Sequence, residues 1–186
     1  MKDPSKTYVI SDLHFCDESV FRMTRRCSDF CDINEHDKAI IENWNHTVGT
    51  DETVYLLGDV GDINNAANYV KDCLKQLHGH ITLICGNHDK DAFPDYGTMR
   101  EYFTECGIEA VIPYPIIVNN FYCMSHEPVY VNMLSPMANI FGHVHDNCSY
   151  RTVSPRSHCV CVERIGYKPI SLNRVMARIS ECKREM

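Results

Sequence analysis

The 186-residue chain reads as an α/β protein, and three observations carry that reading. Short apolar runs rich in Val, Ile and Tyr alternate with longer segments whose apolar residues recur at helical spacing. Hydrophobic residues make up 44% and charged residues 23%, which supplies a core and excludes disorder. Clusters of Asp, His and Asn stand immediately after the apolar runs, where open α/β sheets collect their ligands. No repeat, low-complexity tract or Gly/Ser linker interrupts the chain, so residues 1–186 are expected to form a single domain.

The elements follow in order. Thr7–Ser11 (TYVIS) is the first expected strand, ending at Asp12. The polar stretch from Phe15 to about Asp32 is expected to be irregular. From Asn34 to Val48, residues Ile40, Ile41, Trp44 and Val48 fall on one helical face, and Gly49 stops the helix. Thr53–Leu57 is the second strand, running into Gly58-Asp59. Ala66–His78 is a helix through Ala67, Val70, Leu74 and Leu77, with Gly79 suited to its C-terminal cap. Ile81–Cys85 is the third strand, ending in Gly86-Asn87-His88-Asp89. A short helix is expected over Arg100–Cys106, then short strands around Val111, Ile116–Val118 and Phe121–Met124. Ile140-Phe141 leads into Gly142-His143-Val144-His145, and a further strand is expected near Cys159–Val162. The last helix runs from Ser171, its N-cap, to about Cys182, with Leu172, Val175, Met176 and Ile179 on one face.

Charge and cysteine content exclude several functions. The net charge of −7 argues against extended nucleic-acid binding, which draws its affinity from a basic face. Arg22, Arg25 and Arg26 form the nearest basic cluster; they read as solvated loop charges, with phosphate contact by Arg25 or Arg26 as a second reading. The 11 cysteines include no CxxC; the pairs Cys27/Cys31 and Cys159/Cys161 match neither a zinc ribbon nor a disulfide framework. They read as reduced thiols packed as small apolar groups. No apolar run approaches the roughly 20 residues of a membrane span, and Ala110–Val118 is broken by Pro113 and Pro115. The start lacks a basic segment followed by an apolar one, so no secretory leader and a cytoplasmic location are expected.

Five clusters carry the chemistry: Asp12-Leu13-His14, Gly58-Asp59-Val60-Gly61-Asp62, Gly86-Asn87-His88-Asp89, Ser125-His126-Glu127-Pro128 and Gly142-His143-Val144-His145. Their donors are carboxylates, imidazoles and an amide oxygen, with no thiolate, a set suited to Mn²⁺, Fe, Zn²⁺, Co²⁺ or Ni²⁺. They are too many for one tetrahedral ion and about enough for two. In DLH and HVH the ligand types recur at i and i+2, so on extended backbone both side chains leave the same face. The remaining histidines, His36, His46, His78, His80 and His158, read as structural or solvated.

The ordered set D-x-H, G-D-x-x-D, G-N-H-D, a lone H and G-H-x-H resembles the calcineurin-like metallophosphoesterases, from Asp12 to His145. The tail Gly166-Tyr167-Lys168-Pro169-Ile170-Ser171-Leu172 is similar to the ending of their small, single-domain bacterial and phage-type branch. The resemblance implies a four-layer αββα sandwich of two mixed sheets flanked by helices, the metallo-dependent phosphatase-like fold. It also implies two divalent cations, Mn²⁺ foremost. One would be bound by Asp12, His14, Asp59 and His145, the other by Asp59, Asn87, His126 and His143, with Asp59 bridging. His88 would meet the phosphate or leaving group, while Asp89 and Asp62 would orient His88 and His14 respectively.

The implied reaction is hydrolysis of a small phosphomonoester or phosphodiester by a hydroxide bridging ions about 3.5–4 Å apart. Two divalent ions against Asp12, Asp59 and that hydroxide leave a small positive charge, so an acidic chain can still hold phosphate. A nuclease is the second reading, and a non-catalytic interaction module the third, disfavoured because every ligand and His88 are retained. The chain departs from the branch pattern at Phe15-Cys16-Asp17-Glu18-Ser19 and at Cys159-Val160-Cys161-Val162-Glu163, positions expected to shape the substrate site.

Overall fold

The computed structural model describes residues 3–132, 134–150, 154 and 156–181. Two mixed sheets lie face to face, flanked by helices. In the first, β1 (Thr7–Ile10), β2 (Thr53–Leu56), β3 (His80–Ile84) and β4 (Ala110–Ile112) run parallel, and β9 (Ile170–Ser171) pairs antiparallel with β1, giving the order β4-β3-β2-β1-β9. The second has the order β5-β6-β7-β8, from β5 (Ile116–Val118), β6 (Tyr122–Ser125), β7 (Ala138–Phe141) and β8 (Ser157–Cys159); only β5 is antiparallel to its neighbour.

Parallel strands buried on both faces must be apolar on both, and alternation splits their side chains between two layers. Ile10, Val54, Leu56, Ile81 and Leu83 face outward into a core with Ile40 and Trp44 of α3 (Ile33–Thr47), Val70 and Leu74 of α4 (Ile63–Leu74), and Met99 and Phe103 of α6 (Tyr96–Glu105). Val9, Leu57 and Ile84 face inward, against Tyr122, Met124, Ala138 and Ile140 of the second sheet. Leu172, Val175 and Ile179 of α8 (Leu172–Glu181) join that inner core, and the helix touches β1, β8 and β9.

Several expected boundaries shift. The Phe15–Asp32 stretch contains two short helices, α1 (Glu18–Met23) and α2 (Arg26–Asp29). They are too short for apolar periodicity to reveal; α1 is started by the Asp17 carboxylate accepting from Val20 N at 3.0 Å. Helix α4 begins before Ala66 because Asp62 caps it, and it bends where Ala66 leaves helical geometry (φ −139°). Asp95 likewise starts α6 before Arg100, at Tyr96. The Gly86-Asn87-His88-Asp89 turn opens a five-residue helix, α5 (Asn87–Asp91). Strand β8 ends at Cys159, and Val162 starts α7 (Val162–Ile165) rather than ending a strand. The last helix is described to Glu181; Cys182 lies outside the described residues.

The 10 cysteines among the described residues are free thiols, and burial pushes Cys73 and Cys85 up to about 12, in keeping with packing rather than reactivity. Among the described residues no helix is long and apolar enough to cross a membrane.

Candidate metal centre

Strands β1, β2, β3, β6 and β7 deliver their carboxyl ends to one edge of the sandwich, and the five polar clusters meet there. Asp12, His14 and His145 form one group and Asp59, His126 and His143 another, the ligand atoms of each lying within 4.8 Å of one another. Asp59 stands between them: its Oδ2 is 3.6 Å from His14 Nε2 and 3.2 Å from His126 Nε2. Asn87 Oδ1 adds a donor to the second group, 3.0 Å from His126 Nε2 and 3.1 Å from His143 Nδ1.

The backbone that aims these side chains is strained. Asp12, His14, Asp59, His143 and His145 have φ of +60°, +48°, +54°, +69° and +47°. Left-handed geometry costs an L-residue roughly 1–2 kcal/mol, so the surroundings must hold it. They do. Asp12 N and His14 N donate to Gly58 O and Asp59 O at 3.0 and 3.1 Å, and His143 N donates to the Asp12 carboxylate at 2.9 Å. The glycines before the ligands let the turns approach this closely: a Cβ on Gly86 would lie 2.1 Å from Asp59 Oδ1, and one on Gly142 would lie 2.5 Å from Asp12 Oδ2.

The protonation pattern tests whether a cation fits. His126 Nδ1 donates to Leu57 O at 2.8 Å, so Nε2 is the ring nitrogen left to a metal, facing Asp59 Oδ2, Asn87 Oδ1 and, at 3.1 Å, His143 Nδ1. His14 Nδ1 donates to Asp17 Oδ2 at 2.9 Å, leaving Nε2 buried without a hydrogen bond among the described residues. His145 Nδ1 donates to Glu163 Oε1 at 2.9 Å. Each of these imidazoles spends its N–H outward and turns an electron pair inward, the arrangement that fits a divalent cation. Without one, burial pulls the His126 imidazole down, but the Asp59 hydrogen bond and the carboxylates of Asp12 and Asp59 prevail and set it at about 10.

Three expected roles change. Asp62 does not orient His14; its carboxylate is taken by Asn65 at the start of α4, and Asp17 holds His14 instead. Asp89 does not orient His88 through its side chain. Fully buried, it accepts the backbone N–H groups of Asp59, Val60 and Gly86 at 2.9, 3.0 and 2.8 Å, tying the β2 and β3 turns together. Burial and the neighbouring Asp59 charge raise it to about 6. Arg26 is not a solvated charge: it is fully buried, donating to Glu163 Oε1 at 2.8 Å, Leu13 O at 3.0 Å and Asp12 O at 2.6 Å. Arg25 pairs with Asp29 and Arg22 with Glu18. Of the remaining histidines, His36 is buried against Asp37.

His88 stands beside the ligand groups, a ring nitrogen within 4.8 Å of ligand atoms of His14 and Asp17. Its exposed ring stands edge-on over His14, centroids 5.0 Å apart, while its backbone N–H donates to Asp59 Oδ1 at 3.0 Å. It lines a cleft of about 460 Å³ together with Asp59, Asn87, His143 and His145, and Val20, Met23 and Tyr150 also line it.

Residues 5–147 match the family model of the calcineurin-like phosphoesterases. The chain belongs to that family. An uncharacterized protein of Methanocaldococcus jannaschii is 32% identical over 184 residues, 96% of this chain and 93% of its own length. The gene 66 protein of Mycobacterium phage L5 is 33% identical over 86 residues, 46% of this chain and 40% of its own. A protein of unknown function from Aquifex aeolicus shares the fold, with a TM-score of 0.69 at 22% identity over 92% of this chain and 97% of that one. Family membership makes the chain a metal-dependent phosphoesterase by descent, and the Asp/His groups are suited to hold its metal.

Proposed function

We propose that this protein hydrolyses a small phosphomonoester or phosphodiester at a centre of two divalent cations, Mn²⁺ foremost. The observation that supports it best is the inward-facing lone pairs of His14, His126 and His145 around Asp12 and Asp59. One ion would be held by Asp12, His14, Asp59 and His145, the second by Asp59, Asn87, His126 and His143. Bound there, the ions would offset phosphate charge and lower the pKa of a water molecule. The protein supplies the rest. Asp17 and Glu163 keep the ring electron pairs inward, Asp89 keeps the Asp59 and Gly86 turns together, and Asp59 Oδ1 fixes the backbone beneath His88. The His88 ring, reaching into the cleft from outside the ligand set, is placed to give a proton to the departing oxygen.

No Lys or Arg lines this cleft among the described residues. That and the charge of −7 favour a small ester over an extended polynucleotide. The reading is tested with paired aryl phosphomonoester and phosphodiester substrates in the presence of Mn²⁺. Wild type turns over at least one, Asp59→Asn turns over neither, and His88→Ala loses roughly 10²–10⁴-fold in rate while still binding Mn²⁺. A wild type inert to both esters with each divalent ion overturns it.

A further inference from the structure

A second cavity, of about 450 Å³, shares no lining residue with the metal cleft. Arg164, Lys168, Arg174 and Arg178 line it, and among the described residues no carboxylate does. None of the four forms an ion pair among the described residues, whereas Arg22, Arg25, Arg26, Lys38 and Lys71 each meet a carboxylate. Four uncompensated cations around one cavity repel one another, and on a chain of net charge −7 their grouping calls for an anion.

Two of these cations are positioned by neutral groups that leave their charge unspent. Arg164 donates to the carbonyls of His145, Asn147 and Tyr150 at 2.5, 2.8 and 3.1 Å, using three of the five N–H bonds of a guanidinium. Arg178 Nη1 faces His158 Nε2 at 3.3 Å. Burial, with Arg178 and Arg164 alongside, pulls that imidazole down to about 4, so it stays neutral and accepts. Half-buried Tyr8 supplies an aromatic wall; burial and the Glu52 carboxylate nearby hold its hydroxyl protonated above the ordinary range.

We infer that this cavity binds a small, multiply charged phosphate-bearing anion of the nucleoside di- or triphosphate class. Its volume lies in the range of small-molecule sites. Four cations exceed what one phosphate needs, and the Tyr8 ring gives a base a surface. The inference stands independently of the metal centre's activity.

Calorimetric titration with the β,γ-methylene analogue of ATP, inorganic phosphate and a short single-stranded RNA tests it on the full-length protein. The analogue should bind wild type at least about tenfold more tightly than phosphate, and Lys168→Glu/Arg174→Glu should weaken it about tenfold or more. Both side chains are exposed, so the melting temperature should not change; the milder Arg174→Gln should show a smaller loss. Asp59→Asn should leave the affinity as it is. The inference is overturned if Asp59→Asn removes binding and the double variant does not, because the analogue then sits in the metal cleft. It is equally overturned if phosphate binds as tightly as the analogue, if RNA binds more tightly through the same side chains, or if the analogue gives no heat at millimolar concentration.

Discussion

Glu163 Oε1 accepts from two donors at once, the Arg26 guanidinium at 2.8 Å and His145 Nδ1 at 2.9 Å. Burial opposes the Glu163 charge, but Arg26 and His145 hold the carboxyl down at about 2. Because Arg26 also ties the backbone of Asp12 and Leu13, one ion pair supports ligand-bearing turns from both sheets. Glu163→Gln keeps the volume and removes the charge, leaving Arg26 buried without its counter-ion. It should cost about 3–5 kcal/mol in chemical denaturation. It should also weaken Mn²⁺ binding by roughly 10–100-fold in a metal titration, since His145 then faces a neutral amide in place of its orienting carboxylate. Neither Glu163 nor Asp17 was legible as a positioning residue. Asp17 carried a faint signal, an acidic residue three beyond His14 where a helix starts, but Glu163 lies 18 residues beyond His145 and reaches it only through the fold.

At the scale of elements, each ligand-bearing turn leaves a buried strand and bends at once toward its neighbour. Gly58 shows why some of these positions admit no side chain: its φ is +84°, and a Cβ there would lie 2.4 Å from Gly86 N and 2.7 Å from His126 Nδ1. Gly107 has a similar φ of +92° with nothing within 4 Å of its Cβ position. Gly107→Ala should therefore cost only the conformational term, about 1–2 kcal/mol. Gly58→Ala should cost clearly more, and thermal melts of the two variants measure the difference. Strands β1 to β3 and helix α3 were readable from apolar periodicity, because each presents a long buried face. The four- to six-residue helices α1, α2 and α5 were not: they are set by side-chain caps and neighbouring turns, and are too short for a repeating pattern.

For the molecule as a whole, the site is a joint between sheets. Asp12, Asp59 and Asn87 come from turns of the first sheet, His126, His143 and His145 from turns of the second. A cation held there ties the two sheets together and has no comparable site in the unfolded chain, so its binding energy adds to stability. Mn²⁺ at 100 times its dissociation constant should stabilise wild type by about 2.7 kcal/mol over chelator-treated protein. Asp59→Asn should lose most of that gain in the same denaturation assay.

The α/β class, the strand ends and the five polar clusters follow from local chemistry that a linear chain displays: apolar period, turn residues and donor type; which seven of their residues would be ligands came from the family resemblance. Which carboxylate orients which histidine, why Arg26 is buried, and how four cations come to surround a second cavity were decided in three dimensions. These depend on contacts between residues far apart in the chain, and burial sets both their strength and their partners.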